Sequence, residues 1–292
     1  MPSSRPGPAT IVSVQDASSP WDRVDTVLCD LDGVVWLAHE PIAGSVEAIA
    51  HLRASGRRVM FVTNNSASLR ADHEHALEAI GVRATGDVVS SAMAAALLVE
   101  PGRRVLVAGG PGVVEALRER GADVVVNDGA GSPEGFDAVV VGLHRDFDYD
   151  RLAVASAAVR CGAVLIGTNT DSTYPTPSGL QPGGGSILAA IATASGRSPV
   201  VGGKPHRPMA ELIAHVLDQP GRPFDATRTV MIGDRPETDG AFAQLLGSRF
   251  ALVRSGVTAP DAAIEAGPRV DLDVADLAGV AACLVSTSGQ RQ

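Results

Sequence analysis

Val27-Leu28-Cys29-Asp30-Leu31-Asp32-Gly33-Val34-Val35 is the stretch that decides the fold. An apolar run stops at two carboxylates one residue apart, and a glycine follows. The buried strand of a parallel sheet reads as a continuous apolar run. Charge at its end is costly unless a partner compensates it. The stretch therefore predicts a central strand over 24–29, with Asp30 and Asp32 at its carboxyl end. There the acids can bind a cation and attack a phosphoryl group. Residues two apart on an ideal strand share a face. Gly33 lets the chain leave that geometry, so the two acids can take different roles.

The same alternation of strand and helix extends outward. A helix is expected over 45–54, stopped by Gly56. A strand over 58–62 ends at Thr63-Asn64-Asn65-Ser66. A helix capped by Ser68 runs to about residue 80, and a short strand at 88–89 leads into an Ala-rich helix over 92–99. Pro101-Gly102 breaks the series. Strands at 104–108, 123–126, 138–142 and 164–167 and helices at 113–120 and 149–160 form a second one. The stretch 168–185, rich in Thr, Pro, Gly and Asn, reads as a long irregular and functional segment, opening a helix over 187–194. Strand character returns at 200–201 before Gly202-Gly203-Lys204-Pro205. A helix at 209–217, a strand at 228–232 ending at Gly233-Asp234-Arg235, a helix at 240–246 and a strand at 249–253 follow, with a weak final strand and helix. This is repeated β-α-β with crossovers long enough for parallel pairing.

Composition narrows the function classes. With 292 residues, 45% of them hydrophobic, the chain has room for one large or two ordinary domains. Only 3% is aromatic, so the core must come from Ala, Val, Leu and Ile, and stacking platforms for bases or sugars are disfavoured. A formal net charge of −9 without a long basic run disfavours nucleic acid and anionic membrane surfaces as partners. Cys29, Cys161 and Cys283 form no CxxC pair, so neither a disulfide framework nor a zinc site is expected. No apolar run of about 18 residues suggests a membrane span. Residues 1–20 read as a disordered tail; their Pro/Ser-rich start has no apolar h-region and does not read as a signal peptide. A reducing cytoplasm is the expected location.

Asp30 with Asp32, Thr63-Asn64-Asn65, Lys204 and Asp234 each follow a predicted strand. In a doubly wound sheet, ligands bind beyond the carboxyl ends of the parallel strands, so these segments can converge. Phosphoryl transfer needs a nucleophile, a cation, donors for the phosphoryl oxygens and an acid for the leaving group. Asp30 and Asp234 can ligate a hard cation such as Mg²⁺. One of Asp30 and Asp32 can attack phosphorus. Thr63 and backbone N–H groups around Asn64 can donate to phosphate, and Lys204 supplies a point charge.

Asp30-Leu31-Asp32-Gly33-Val34, Thr63-Asn64-Asn65, Gly203-Lys204-Pro205 and Gly233-Asp234-Arg235-Pro236-Glu237-Thr238-Asp239 resemble, in order, the four motifs of the haloacid dehalogenase superfamily. With Val140-Val141-Gly142-Leu143, Asn169-Thr170-Asp171 and Pro182-Gly183-Gly184-Gly185-Ser186, the chain is similar more narrowly to the subclass IIA phosphatases, which carry a large α/β cap. The resemblance covers nearly everything after about Arg23. It implies a doubly wound, parallel-sheet, Rossmann-like α/β core that is discontinuous (21–102 plus 200–292), with an inserted α/β cap domain over 103–199. It implies a Mg²⁺-dependent phosphoric monoester hydrolase, acting on a small sugar, polyol or nucleotide phosphate through an aspartyl phosphate. It is also compatible with a cap-mediated homodimer.

By the same resemblance, Asp30 is the nucleophile. Asp32 is the general acid/base, and its backbone carbonyl ligates Mg²⁺. Thr63 and Asn64 hold the phosphoryl group, Lys204 neutralises it, and Asp234 is the second carboxylate on the metal. Asp239 supports Lys204 or the water shell of the metal. Val34 stands where many members have Thr. Tyr174 stands where pyridoxal phosphate phosphatases have a cap histidine, which counts against that substrate.

Other readings remain open beside this one. A phosphotransferase or phosphomutase would use the same aspartyl phosphate. A non-catalytic binding protein would have no need of four intact motifs. An Asp-x-Asp glycosyltransferase would leave Lys204 and Asp234 unexplained. Asn65 reads equally as a phosphate contact and as a turn residue. Asp239 reads also as an acid at a helix start. Arg235 is either a substrate contact or half of an ion pair. Residues 183–185 read as a hinge or cap-closing loop, since no Walker lysine follows them. His73 and His75, two apart on a predicted helix, do not share a face. His39 reads as a surface histidine in a flap, and Trp36 either lines the site or packs in the core.

Overall fold

The structure, a computed structural model, describes residues 19–176, 179–264 and 267–286. The expected tail up to residue 18 lies outside the described residues. The chain begins with β1 (Thr26–Cys29), the short hairpin β2 (Trp36–Leu37) and β3 (Glu40–Pro41), α1 (Ser45–Ala54), β4 (Arg58–Thr63), α2 (Arg70–Ala79), β5 (Val88–Ser90) and α3 (Ser91–Ala96). A second series holds β6 (Arg104–Ala108), α4 (Pro111–Glu119), β7 (Asp123–Val126), β8 (Ala138–Val141), α5 (Tyr149–Arg160) and β9 (Val164–Gly167). It continues through a hairpin, β10 (Thr173–Thr176) and β11 (Gly179–Pro182), to α6 (Gly184–Ser195) and β12 (Val200–Val201). The last series is α7 (Arg207–Leu217), β13 (Thr229–Gly233), α8 (Ala241–Leu246), β14 (Arg249–Val253), β15 (Leu272–Val274) and α9 (Leu277–Ser286).

The first and last series build one parallel sheet in the order β15-β14-β13-β1-β4-β5. The middle series builds a second parallel sheet, β12-β9-β8-β6-β7. β1 is short and wholly buried because both its faces are covered. Val27 and Cys29 pack with Ile49 and Leu52 of α1 and Leu284 of α9. Leu28 packs on the other face with Met209 and Ile213 of α7 and Phe242 of α8. That two-sided burial is why the strand shows no alternation and why its first carboxylate comes only where the sheet ends.

The expected α/β class and parallel pairing are present, with local differences. The stretch 168–185 is not irregular throughout: it contains the β10–β11 hairpin. Pro175 and Gly179 suppress the strand signal there, and each strand has only four residues. Gly184 and Gly185 are the first residues of α6 rather than part of a loop before it. Val200 and Val201 pair with Ile166 and Gly167, so the second sheet runs past residue 199. Helix α2 begins one residue later than a Ser68 cap would place it. The Asp72 side chain accepts the Leu69 N–H at 3.2 Å and satisfies the helix start. Between the two sheets lies α3, whose alanines serve both. Ala94 packs on the first sheet's core, and Ala92, Ala95 and Ala96 pack on the second's. Among the described residues no helix is long and apolar enough to cross a membrane.

Candidate active site

β1 lies between β13 and β4, with Cys29 in register with Ile232 and Phe61. The carboxyl ends of all three strands therefore share one edge. The chain leaves β1 toward β4 on one side and β13 arrives late on the other, so this is a point where the strand order reverses. Asp30, Thr63 and Asp234 follow or end these strands. The loop after β12 adds Lys204, and a single π-helical turn, Pro236–Gly240, adds Asp239.

Lys204 is the electrostatic centre. Its side chain is 1% exposed, and Nζ lies 2.7 Å from Asp239 Oδ1, 3.1 Å from Asp30 Oδ1 and 2.9 Å from the Val62 carbonyl oxygen. Burial alone would push the ammonium pKa down, but Asp239 and Asp30 outweigh it and hold it above its ordinary value. Lys204 is thus locked as a cation. Its backbone is clamped as well: Asn64 Oδ1 accepts the Lys204 N–H at 2.9 Å, and Asn64 Nδ2 donates to the Lys204 carbonyl at 3.1 Å.

Asp30 uses its two oxygens differently. Oδ1 accepts the Leu31 N–H at 2.8 Å and faces Lys204. Oδ2 takes no hydrogen bond from the described residues, and Asp30 lines a cavity of about 600 Å³. Burial, with repulsion from Asp239, Asp234 and Asp32, pushes the Asp30 pKa up against the pull of Lys204. Asp234 is 1% exposed. Its Oδ2 accepts the Val257 N–H at 2.6 Å, while Oδ1 is buried without a hydrogen-bond partner among the described residues. Burial first, and then Asp239, pushes its pKa up to about 7.

Among the described residues, the carboxylates of Asp30, Asp234 and Asp239 present oxygens within 4.8 Å of one another. With all three ionised, the one ammonium against them leaves two negative charges in excess. An all-oxygen donor set with an orphaned buried carboxylate oxygen suits a hard divalent cation. Asp239 is the least available of the three, because Oδ1 is taken by Lys204 and Oδ2 accepts the Arg235 N–H at 3.2 Å. Space around Asp234 depends on two glycines. A Cβ on Gly33, whose φ is +88°, or on Gly256 would overlap the Asp234 carboxylate. The loop after β14 closes the remaining side, with Ser255 Oγ donating to the Gly33 carbonyl at 2.7 Å.

Asp32 does not join the carboxylate cluster. Its Oδ1 accepts the Trp36 indole N–H at 3.0 Å. Burial raises its pKa, with the Trp36 hydrogen bond opposing. That direction suits a carboxylic acid that must give up a proton near neutrality. Trp36 follows its core reading, being 1% exposed and not among the residues that line the cavity, although its indole reaches Asp32. Its ring also meets His39 at 4.9 Å. Ala38 and His39, with φ of 50° and 69°, form the left-handed tip of the β2–β3 hairpin.

The polar loop after β4 divides its work. Thr63 Oγ1 accepts the Asn65 N–H at 3.0 Å and keeps its own proton to donate. Asn65 Oδ1 accepts the Ala67 N–H at 3.0 Å, which is a turn role. The Asn64 amide is fully engaged, because Nδ2 also donates to Asp171 Oδ2 at 3.0 Å. Its side chain is thus a clamp on Lys204 rather than a free phosphate donor. The Asn64 backbone N–H takes no partner among the described residues.

The middle series, with its β10–β11 hairpin, supplies further lining of the cavity. Leu143, Arg145, Asn169, Asp171, Tyr174, Gln181 and Gly183 line the same cavity. Asn169 Nδ2 donates to the Asn64 carbonyl at 2.7 Å, so Asn169 and Asp171 both reach the Asn64 loop. Arg235 donates to the Thr173 carbonyl at 3.4 Å and adds its field to Asp171 and Asp234. The Tyr174 hydroxyl donates to Gln181 Oε1 at 3.0 Å. His73 is buried and His75 exposed, in keeping with their separate faces. The wall residues Arg145 and Gln181 and the brace from Ser255 to Val257 went unmarked in the sequence. Only Gly256, three residues past the predicted strand over 249–253, offered a signal for the brace.

Two family models match the chain: a haloacid dehalogenase-like hydrolase model over residues 27–123 and a HAD-hydrolase-like model over residues 201–280. The D-glycerol 3-phosphate phosphatase of Mycobacterium tuberculosis is 39% identical over 251 residues, covering 84% of this chain and 67% of that protein. Phosphoglycolate phosphatase 2 of Arabidopsis thaliana is 31% identical over 291 residues, covering 90% and 93%. A crystal structure of the glycerol phosphate phosphatase from Mycobacterium tuberculosis in complex with magnesium has a TM-score of 0.78 at 34% identity, covering 89% of this chain and 77% of that one.

Proposed function

The chain belongs to the haloacid dehalogenase-like hydrolases and is a phosphatase of their capped subclass, and from that premise we propose a Mg²⁺-dependent hydrolysis of a small phosphorylated metabolite through an aspartyl phosphate on Asp30. What carries this proposal is the Asp30 carboxylate: one oxygen is fixed by Leu31 and Lys204, and the other is free at the cavity.

The carboxylates of Asp30 and Asp234 and the backbone carbonyl of Asp32 would hold Mg²⁺. When bound, it would balance the excess charge of the site and of the phosphoryl oxygens. Asp30 Oδ2 attacks phosphorus while Thr63 and the Asn64 N–H hold the phosphoryl oxygens and Lys204, whose own donors are engaged, contributes its positive charge. The bond from phosphorus to the ester oxygen breaks, and Asp32 gives that oxygen its proton. Water then attacks the aspartyl phosphate with Asp32 accepting its proton, which releases phosphate and restores Asp30. Asp239 fixes Lys204, and Asn64 fixes its backbone.

Under the same proposal, the six-stranded sheet with its helices is a catalytic core of residues 21–102 and about 202–292. The second sheet is the cap, 103–201, with its boundary moved to include β12. A cytoplasmic enzyme acting on free metabolites fits a net charge of −9. The test is Mg²⁺-dependent phosphate release from para-nitrophenyl phosphate without added acceptor, lost in Asp30→Asn. Folded protein with no release over a broad panel of phosphate esters would sink the proposal.

A further inference from the structure

Building on the phosphatase function proposed above, we infer that the substrate carries a second anionic group, a carboxylate a few bonds from the phosphate, and that Arg145 recognises it. Among the described residues, two arginines and one lysine line the cavity. Lys204 is neutralised by Asp30 and Asp239. Arg235 donates to the Thr173 carbonyl, and Asp171 and Asp234 lie within its field. Arg145 differs from both. Among the described residues its guanidinium makes no ion pair and no hydrogen bond, although Asp146 and Asp148 lie close in sequence. Asp148 is taken instead by Arg151.

Arg145 is exposed, yet its guanidinium has an aromatic neighbour. It lies over the Tyr174 ring, 5.9 Å from the centroid, and that ring is fixed in turn by the hydroxyl bond to Gln181. A guanidinium on an aromatic face gives up little freedom on binding and keeps its planar fork of donors outward. Such a fork matches a carboxylate in two parallel hydrogen bonds. Arg145 lies at an exposed position in the loop after β8 and lines the same cavity as Asp30 and Lys204. The phosphoryl group at the carboxylate cluster and a second anion at Arg145 would thus occupy the two ends of one small molecule. A neutral polyol would leave this cation unused.

The test uses two matched pairs of esters: 3-phosphoglycerate against glycerol 3-phosphate, and 2-phosphoglycolate against 2-hydroxyethyl phosphate. Within each pair only a carboxylate and a hydroxymethyl group are exchanged. Wild-type protein should show the higher kcat/KM for the acid in at least one pair. In Arg145→Gln the acid-to-alcohol ratio for that pair should fall roughly 10- to 100-fold, mainly through KM, the cost of losing a charge-assisted bond. Arg145→Lys, which keeps the charge and loses the fork, should restore part of it. A ratio that Arg145→Gln leaves unchanged, or a wild-type preference for the alcohol in both pairs, overturns the inference. If para-nitrophenyl phosphate is still hydrolysed in that case, the phosphatase proposal survives. If neither it nor any of the four esters is hydrolysed, both fall.

Discussion

Replacing Lys204 with Met should destabilise the fold and abolish activity by two separable routes. The Lys204 side chain is 1% exposed and all three of its N–H donors are used, on Asp239, Asp30 and the Val62 carbonyl. Removing it leaves Asp239, itself 0% exposed, with only the Arg235 N–H on its other oxygen among the described residues. Breaking a buried pair from one side costs about 3–5 kcal/mol, because the remaining charge has neither water nor partner. At roughly 2–4 °C per kcal/mol for a chain of this size, the melting temperature should fall by about 6–20 °C. Adding Asp239→Leu removes the stranded charge and fills its space with apolar atoms. The double variant should recover to within about 1 kcal/mol of wild type. Asp30, at 13% side-chain exposure, can find water at the cavity and does not prevent the recovery. Phosphate release should stay lost in the double variant, since no residue then neutralises the phosphoryl group. Urea unfolding of wild type, both single variants and the double variant, with phosphate release alongside, completes the cycle. A Lys204→Met variant within about 1 kcal/mol of wild type, or a double variant as unstable as the sum of the singles, refutes the reasoning.

Three further outcomes follow from the same geometry. Trp36→Phe keeps the ring in the core but removes the N–H that fixes Asp32 Oδ1; turnover of an alkyl phosphate should fall about tenfold more than that of para-nitrophenyl phosphate, whose leaving group needs no proton, and equal losses would show that Trp36 only packs. Without metal, stability should decline as pH rises from about 4 to about 7, because the folded protein retains on Asp234 a proton that the unfolded chain releases. Asp234→Asn should flatten that decline and also cancel the rise in melting temperature on adding Mg²⁺, worth about 2.7 kcal/mol at a hundredfold excess over Kd; urea midpoints against pH, with and without Mg²⁺, check both. His73 is 2% exposed with both ring nitrogens buried, and burial pushes its pKa down. Its contribution should be lost as pH falls below about 6.5, and His73→Leu should make the acid limb of the stability profile shallower in scanning calorimetry.

The positions of the acids were legible because burial leaves a mark on sequence. A strand covered on both faces must be apolar to its last residue, so Asp30 and Asp234 stand out where Val27-Leu28-Cys29 and the β13 run end. The β10–β11 hairpin left no such mark, being short, exposed along β11 and interrupted by Pro and Gly. The membership of Val200 and Val201 in the second sheet was equally hidden, since two valines fit the end of either sheet.

Within the site, residue type marked out the chemistry, whereas the assignment of each group depended on three-dimensional contact. Asp239 was readable as an acid near a helix start. It became the partner of Lys204 only because a π-helical turn aims it across a gap of 35 residues in sequence. Asn64 resembled a phosphate donor, yet its amide is spent on Lys204 and Asp171. Trp36 took its second role only when the β2–β3 hairpin folded its indole back onto Asp32.

The amino-acid sequence alone determined the α/β class, the strand ends that carry carboxylates and the kind of chemistry those groups support. Each of these follows from local composition and from the cost of burying charge. Tertiary structure alone decided which oxygen of each carboxylate is free, which acid neutralises Lys204, and that Arg145, unpaired among the described residues, lines the cavity. These depend on distances of about 3 Å between residues far apart in the chain, where one hydrogen bond made or withheld changes what a side chain can do.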